Sequence, residues 1–337
     1  MSDNIILLSH GAGGKKSSEL TEKVFLKHFT DPALLELNDM AVLELPPGRL
    51  SISTDTYVID PIFFPGGDIG SLAVHGTVND VAMSGARPIA LSAGFVLEEG
   101  LSIADLERIA ASMARAAGQA GVRIVTADTK VVPRGAADKL FINTTGIGVI
   151  PGNLEIGGGQ ASEGDRVLIS GTIGDHGIAV ASSREGIDLT TPVVSDSAPL
   201  NGMIGELVAS LGSDIHVLRD PTRGGLATVL SEIASHSSVG IAIQESAIPV
   251  RDTVRGACEL LGYDPLYLAN EGKLVVVAAE KAHEEALRIM QNHPYGSDAV
   301  LIGTVTGERP GKVVLNTLMG GTRLVDKLSG EMLPRIC

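Results

Sequence analysis

Two cysteines occur among the 337 residues of the sequence, and they stand in very different surroundings. Cys258 lies in a segment with helical periodicity, whereas Cys337 is the last residue of a short tail, residues 329–337. Terminal segments are weakly constrained, and Gly330 and Pro334 disfavour regular secondary structure in this one. The sequence therefore predicts a mobile tail that carries its thiol between pockets. A passive free thiol is the alternative for Cys337. We interpret Cys258 as a buried structural residue.

Three aspartates of the first half occupy positions where elements are predicted to meet. Asp55 closes a strand, Asp80 lies within the following helix, and Asp128 follows another strand, with Lys130 two residues later. Magnesium prefers oxygen ligands, and nucleotide phosphates require cations around them. Together these side chains predict a magnesium–nucleotide site. Turn formation or helix capping is the commoner role of each aspartate taken singly.

The opening segment 9–17 is rich in glycine and lysine. Its backbone amides and lysines could enclose phosphate groups, and a generic flexible loop is the alternative. It is not a Walker A loop, because only two residues separate Gly11 from Gly14 and because Lys16 intervenes before the serine.

Two motifs of the second half carry charged groups beside turn residues. The segment 219–226 stands at the predicted start of a helix, where backbone amide groups and arginine side chains would bind an anion. A capped turn without a ligand is the alternative. Glu271 stands between Asn270 and Gly272, ahead of a predicted strand. A buried carboxylate there would suit proton transfer, and a simple hairpin is the alternative.

Composition excludes several classes of protein. With 44% hydrophobic residues and 337 residues in all, the chain can form about two domains. Its net charge of -14 and its 3% aromatic content argue against nucleic acid and anionic membranes as partners. The two cysteines indicate neither a disulfide framework nor a zinc site. No signal or membrane segment is evident at the start, so we expect a cytoplasmic protein.

Apolar runs of strand length alternate with segments of helical period, which predicts an α/β or α+β fold. The predicted boundary lies in the glycine-rich stretch 151–159. We expect a lead-in at 1–40, domains at 41–152 and 153–328, and the tail at 329–337. The predicted helices are 71–84, 103–120, 174–183, 201–211, 224–236 and 253–261. The predicted strands are 50–54, 90–96, 122–125, 141–150, 165–171, 273–278, 299–305 and 312–315.

In order along the chain, these segments resemble the HypE family of hydrogenase maturation factors. That family belongs to a superfamily with aminoimidazole ribonucleotide synthetase and selenophosphate synthetase. The Asn79-Asp80 and Asp220–Gly225 motifs are shared across the superfamily, whereas the ending 334–337, Pro-Arg-Ile-Cys, is much more specific to HypE. The remaining resemblance lies in His10–Gly14, Ser53–Asp55, Gly76–Ala86, Ala127–Val132 and Asn270–Gly272.

The resemblance implies a fold, an activity and partners. The fold would be the two-domain PurM-like architecture, with an N-terminal β-rich domain that dimerises and a larger C-terminal α/β domain. The carbamoyltransferase HypF would load a carbamoyl group onto Cys337, and ATP would drive dehydration of the S-carboxamide to a thiocyanate. The HypC–HypD complex would then receive the cyano group for the iron of nickel–iron hydrogenase.

The resemblance also implies roles for individual residues, with ATP and Mg²⁺ as cofactors. The metal ligands would be Asp55, Asp80 and Asp128. The nucleotide-binding residues would be Gly11, Gly13, Gly14, Thr54, Asn79, Asp220, Arg223, Gly224 and Gly225. The catalytic residues would be Cys337, Lys130, Glu271 and His10. We expect Glu271 to be the base ahead of His10, because burial would raise the pKa of its carboxylate towards neutrality.

Two other function classes fit part of the pattern. A small-molecule kinase or a selenophosphate-synthetase-like enzyme would share the acidic site, but the latter usually carries a reactive cysteine near its N-terminal glycine loop, and this chain has none there. A non-enzymatic thiol carrier would use Cys337 but would have no need for the aspartates.

Overall fold

The computed structural model describes residues 4–184, 192–330 and 333–337. The helices are α1 (Lys15–Leu20), α2 (Pro32–Leu35), α3 (Ile69–Ala82), α4 (Ile103–Ala120), α5 (Asp175–Ser182), α6 (Asn201–Leu211), α7 (Gly225–Ser237), α8 (Asp252–Leu261) and α9 (His283–Asn292). The strands are β1 (Arg49–Tyr57), β2 (Phe63–Phe64), β3 (Gly67–Asp68), β4 (Arg87–Glu98), β5 (Arg123–Val132), β6 (Leu140–Ile150), β7 (Arg166–Ile169), β8 (Ile215–Arg219), β9 (Gly240–Gln244), β10 (Val275–Ala278), β11 (Val300–Thr306), β12 (Val313–Asn316) and β13 (Thr322–Val325).

The N-terminal domain is built on a four-stranded sheet in the order β1-β6-β4-β5. Strand β6 runs antiparallel to both β1 and β4, whereas β5 runs parallel to β4. Helices α3 and α4 cover one face of the sheet. Asp68 caps α3 by accepting the backbone N–H groups of Gly70 and Ser71. The same face buries Tyr57, whose hydroxyl bonds to Thr77 of α3.

The opposite face of this sheet is uncovered in the single chain. Along β1 the side chains alternate between the two faces, as the strand period of two requires. Leu50 and Ile52 lie on the uncovered face and are 51% and 64% exposed. A sheet face with large exposed apolar side chains indicates a contact surface.

The C-terminal domain contains a seven-stranded mixed sheet in the order β13-β12-β9-β11-β7-β10-β8. Successive residues of β7 point to opposite faces, and both faces are covered. Val167 and Ile169 pack in a core that includes α7, whereas Leu168 packs in a core that includes α6 and α9. Burial on both faces explains why β7 is a continuous apolar run rather than an alternating one.

The tail docks onto the N-terminal domain. The backbone N–H of Val58 donates to the carbonyl of Cys337 at 3.1 Å, and Ile336 and Cys337 belong to the core of that domain. The predicted mobility of the tail stays a prediction, and the structure describes its docked position.

The predicted mixed α/β fold with two sheet-based domains is confirmed. The first sheet ends at Ile150 and the second begins at Arg166, and the boundary predicted at residues 152–153 lies in the intervening stretch and stays a prediction. None of the helices in the described part of the chain combines the length and hydropathy that a bilayer span requires.

Candidate active site

Three carboxylates meet where the two domains face each other. Asp55 comes from β1, Asp80 from the last turn of α3, and Asp220 directly follows β8. Ser53 Oγ donates to Asp80 Oδ2 at 2.9 Å. Burial raises the pKa of Asp80, and the charge of Asp55 adds to this shift. Burial and the charge of Asp80 raise the pKa of Asp220 to about 7. A cation bound near these carboxylates would relieve their mutual repulsion.

Cys337 lies beside this cluster. Its side chain is largely buried, and it lines a cavity of about 280 Å³ together with Arg223, Gly224 and Leu268. Burial and the nearby Glu271 raise the pKa of the thiol to about 12, and the positive charge of Arg223 opposes that shift. Arg223 Nη2 also lies 3.8 Å from Asp55 Oδ1. The loop after β8 therefore places a cation between the thiol and the aspartates.

Glu271 is buried with one carboxylate oxygen unpaired. The residue is 3% exposed, and Oε1 has no hydrogen-bond partner among the described residues. Burial raises the pKa of this carboxyl well above its usual range, and the charges of Asp220 and Asp196 contribute to the shift. An unpaired buried carboxylate oxygen is costly unless a ligand or a proton occupies it. Glu271 is thus suited to accept a proton inside a closed site.

Asp196 holds the backbone of Glu271 in place. Its carboxylate accepts the N–H groups of Glu271 at 3.1 Å and Gly272 at 3.3 Å, and Lys273 Nζ lies 3.4 Å from the same carboxylate. A side chain at residue 272 would collide with the backbone, since an added Cβ would lie 1.7 Å from the Asp196 carbonyl. No local signal in the sequence distinguishes Asp196, which stands between Ser195 and Ser197.

Asn79 joins α3 to the C-terminal domain. Its Nδ2 donates to the carbonyls of Ala198 at 3.0 Å and Glu271 at 3.3 Å, and its Oδ1 accepts the N–H of Leu200 at 2.8 Å. The side chain is fully buried, so its amide hydrogens are committed to protein partners. Asn79 therefore positions Glu271 through backbone contacts, a role that the sequence did not indicate.

We expect Asn79→Ala to lower the free energy of unfolding by about 2–4 kcal/mol, because it leaves buried backbone groups of two domains unpaired. Chemical denaturation monitored by circular dichroism measures this loss. Asn38→Ala is the control, because Asn38 is exposed and bonds only to nearby Glu36. Equal stability of the two variants would contradict the structural role of Asn79.

Two glycines shape the start of α7. Gly224 and Gly225 have φ values of +76° and +62°. An added Cβ at Gly225 would lie 2.5 Å from the Leu266 carbonyl oxygen and 2.6 Å from that of Leu268. Only glycine permits this backbone and this close approach. The helix N-terminus is thereby held next to Arg223 and Asp220.

A second group of predicted residues lies elsewhere in the chain. His10, Gly11, Gly13, Asp128 and Lys130 line a cavity of about 340 Å³ between the N-terminal segment and β5. Gly14 forms the N-cap of α1. Lys130 Nζ pairs with Asp128 Oδ2 at 2.6 Å. His10 Nδ1 accepts the N–H of Leu7 at 3.0 Å, and burial lowers the pKa of His10.

Within one chain the sheet separates Asp128 from Asp55. Strands β1 and β5 form opposite edges, which places them about 14 Å apart. Asp55 pairs with Thr144, whose hydroxyl donates to α3, so Asp55 is on the covered face. Asp128 of β5 pairs with Gly94 of β4, which pairs in turn with Asn143 of β6. Paired residues lie on the same face of a sheet, and Asn143 faces away from the helices. Asp128 therefore lies on the uncovered face. The described residues contain no group of three His, Cys, Asp or Glu side chains arranged to hold a metal ion.

Thr54 also lies on the uncovered face of the sheet. Its Oγ1 accepts hydrogen bonds from Thr145 Oγ1 at 2.9 Å and from Asn143 Nδ2 at 3.3 Å. One chain therefore brings together Asp55, Asp80, Asp220, Arg223, Glu271 and Cys337. It leaves His10, Thr54, Asp128 and Lys130 outside this group.

The docked tail is held by side chains that sequence analysis did not single out. Arg184 Nη2 donates to the carbonyls of Pro334 at 2.6 Å and Arg335 at 3.0 Å, while its Nε donates to the carbonyl of Asp60. Arg335 in turn donates to the carbonyl of Val58 at 2.9 Å. Isolated arginines carry no local signal of this role, because their partners are backbone carbonyls far away in sequence.

Comparisons with known proteins identify the family of the two domains. Residues 37–150 match the family described as AIR synthase related protein, N-terminal domain, and residues 162–316 match its C-terminal domain. The carbamoyl dehydratase HypE of Azotobacter vinelandii is 53% identical over 328 residues, which cover 97% of this chain and 96% of the relative.

Solved structures give the same result. A structure of the hydrogenase maturation protein HypE in complex with ATP superimposes with a TM-score of 0.95 at 55% identity, covering 98% of this chain and 99% of the other. A chain from a structure of a HypE–HypF complex gives a TM-score of 0.81 at 50% identity, covering 92% of this chain and 99% of the other. On its sequence and its fold, the chain belongs to the HypE family of carbamoyl dehydratases.

Proposed function

We propose that this chain uses ATP to dehydrate an S-carboxamide on Cys337 to a thiocyanate, the precursor of the cyanide ligand on the iron of nickel–iron hydrogenase. The observation that carries the proposal is the burial of Cys337 beside Glu271 and Arg223, next to three aspartates. A group carried on this thiol would enter a closed site that contains a base, a cation and carboxylates suited to magnesium.

The reaction balances as a dehydration coupled to phosphoryl transfer. The carboxamide oxygen attacks the γ-phosphorus of ATP, ADP leaves, and the nitrogen loses one proton. The C–O bond then breaks, the nitrogen loses its second proton, and phosphate leaves with the former carboxamide oxygen. The carbon and nitrogen of the former carboxamide are now joined by a triple bond, and the carbon stays bonded to the sulfur of Cys337. Phosphorylation is required because an amide oxygen is a poor leaving group, whereas phosphate is a good one.

Residues of this chain supply the groups that the two proton losses and the charge changes require. Glu271 accepts a nitrogen proton, since its buried oxygen is unpaired and the residue is near enough to Cys337 for its charge to raise the pKa of the thiol. Arg223 stabilises negative charge that develops on the transferred phosphoryl group. Asp55 and Asp80, completed by Asp128 of a second copy of the chain, would hold Mg²⁺, which supplies charge neutralisation to the nucleotide phosphates when bound.

We also propose that the chain functions as a homodimer through the uncovered face of the N-terminal sheet. Exposed Leu50 and Ile52 support this assignment, and so does the position of Asp128 and Lys130 on that face. The predicted set of Asp55, Asp80 and Asp128 requires a second copy, because one chain separates them. On the same basis, the lysine-rich loop with His10 would close over nucleotide phosphates.

The proposed partners follow from the chemistry of the tail. HypF would donate the carbamoyl group to Cys337 when the tail is undocked, because the docked thiol is buried. The HypC–HypD complex would accept the cyano group. Both steps would take place in the cytoplasm.

Mass spectrometry of the C-terminal peptide tests the proposal. The chain is carbamoylated by HypF with carbamoyl phosphate and ATP, purified, and then incubated with Mg-ATP. We expect Cys337 to gain a carbamoyl group and then to lose one water, only when the ATP can be hydrolysed. Cys337→Ser should gain nothing. An unmodified tail together with ATP turnover would contradict the proposal and would favour a small-molecule substrate.

A further inference from the structure

His176 connects the docked tail to the loop that holds Glu271. It is the second residue of α5 and is completely buried. Its Nε2 lies 2.8 Å from the carbonyl oxygen of Ile336, and its Nδ1 lies 2.8 Å from Ser195 Oγ. The ring of Phe64 packs edge-on against the imidazole, with 5.5 Å between the two ring centroids. No role at the site described above uses this histidine.

The hydrogen-bond partners determine the tautomer of His176. The Ile336 carbonyl can only accept, so Nε2 must carry a hydrogen. Burial lowers the pKa of the imidazole, which favours the neutral ring, although the charge of Asp196 opposes this shift. Nδ1 of a neutral ring then accepts the Ser195 hydroxyl hydrogen. Ser195 Oγ in turn accepts the N–H of Ser197 at 3.1 Å, so every donor is matched with an acceptor.

The serine partner lies next to the residue that positions Glu271. Asp196, which accepts the backbone N–H of Glu271, directly follows Ser195. The backbone of α5 is fixed at this point because Gly177 donates its N–H to the Ala269 carbonyl at 3.1 Å. The tail and Glu271 are therefore attached to the same loop, residues 195–198, one through His176 and the other through Asp196.

We propose that His176 is a positioning residue that fixes the register of the tail, so that the group carried on Cys337 meets Glu271. The bond from Nε2 to Ile336 is made one residue before the reacting sulfur. Loss of this bond leaves the buried Ile336 carbonyl without its donor, while the tail keeps the bond from Val58 N–H to the Cys337 carbonyl and the Arg184 bonds at Pro334 and Arg335. This inference concerns docking of the tail. Of the measurements that test it, only the rate of dehydration rests on the proposed function.

Three variants separate tail positioning from support of the loop. His176→Asn keeps a polar group near Ser195 but cannot reach Ile336, whereas His176→Gln places an amide N–H at the reach of Nε2. His75→Ala is the matched control. His75 is a second buried histidine, and its Nδ1 bonds to Ser197 of the same loop at 3.0 Å without contacting the tail.

The first measurement is the rate of alkylation of Cys337 relative to Cys258 in the full chain without nucleotide. Cys258 is buried in α8 and serves as the internal reference for general loosening. We expect His176→Asn to raise the ratio about tenfold, because a buried acceptor loses its donor and the tail undocks more often. His176→Gln and His75→Ala should stay within about twofold of the unmodified chain. An unchanged ratio in His176→Asn, or an equal rise in His75→Ala, would overturn the proposal.

Two further measurements extend the test, and the first of them needs no variant, so it holds even if a variant folds poorly. In the unmodified chain labelled with ¹⁵N-histidine, nuclear magnetic resonance should show a protonated Nε2 and an unprotonated Nδ1 for His176, and the opposite tautomer would overturn the proposal. In carbamoylated chains, dehydration should slow about tenfold in His176→Asn and recover in His176→Gln. Failure of the unmodified chain to dehydrate would instead refute the proposed function while leaving the alkylation result intact.

Discussion

Glu271→Gln is expected to lower the rate of dehydration of the carbamoylated chain by about 100- to 10,000-fold, because a general base contributes on that scale. The substitution preserves the shape of the side chain and removes only its basicity. Carbamoylation of Cys337 by HypF should proceed at the normal rate, since that step does not use the buried pocket. Single-turnover kinetics, with the tail peptide analysed by mass spectrometry, measures both steps.

The pH dependence distinguishes a base from a merely positioning carboxylate. The pKa of Glu271 is raised by burial, so its basic form is lost as the pH falls through that raised value, and the rate should fall with it. Glu271→Gln should abolish this dependence. Glu285→Gln is the surface control, since Glu285 pairs only with neighbouring groups on the exterior. If His10→Gln removed the pH dependence and Glu271→Gln retained it, His10 would be the base.

Asp80→Asn is expected to reduce ATP-dependent dehydration about 100-fold or more, because charge stabilisation worth several kcal/mol depends on the cation. The same change should leave the metal-free chain equally stable or more stable. Burial and the charge of Asp55 raise the pKa of Asp80, so the carboxylate is unfavourable there without a cation. The asparagine can still accept the hydrogen bond from Ser53 Oγ.

Thermal unfolding with and without Mg-ATP tests this opposition between activity and stability. The unmodified chain should gain stability from Mg-ATP by mass action, and Asp80→Asn should gain much less. Asp214→Asn is the control, because Asp214 pairs with Lys281 at the surface and lies outside the cluster. A clear loss of metal-free stability in Asp80→Asn, with a normal response to Mg-ATP, would contradict the magnesium assignment.

Much of the fold could be predicted from the sequence, because apolar residues recur with the helix or strand period in the elements that pack against the domain cores. The helix predicted at 103–120 is present as α4, with Ser102 as its cap and Gly121 beyond its end. Four elements of the C-terminal domain were not predicted: β8, β9, β13 and α9. Strand β8 is short and carries polar His216, and α9 is strongly charged, so neither shows the apolar run that indicates an element.

The site was only partly predictable for a different reason. Residue type identified the thiol, the base and the carboxylates, but it could not tell which edge or face of the sheet each would occupy. Asp55 and Asp128 both come just after predicted strands, yet one chain holds them on opposite faces of the sheet. His176, Arg184 and Asp196 act through backbone groups distant in sequence, and such partners leave no local motif.

The fate of the carboxamide oxygen tests the central claim most directly. The chain is carbamoylated on Cys337 with ¹⁸O in the carboxamide, purified, and given Mg-ATP in unlabelled water. We expect the released phosphate to carry one ¹⁸O for each thiocyanate formed, because the oxygen that attacks the γ-phosphorus leaves with phosphate. Unlabelled phosphate with ¹⁸O retained on the tail would show that water attacks ATP instead, and it would contradict a dehydration driven by phosphorylation of the group on Cys337.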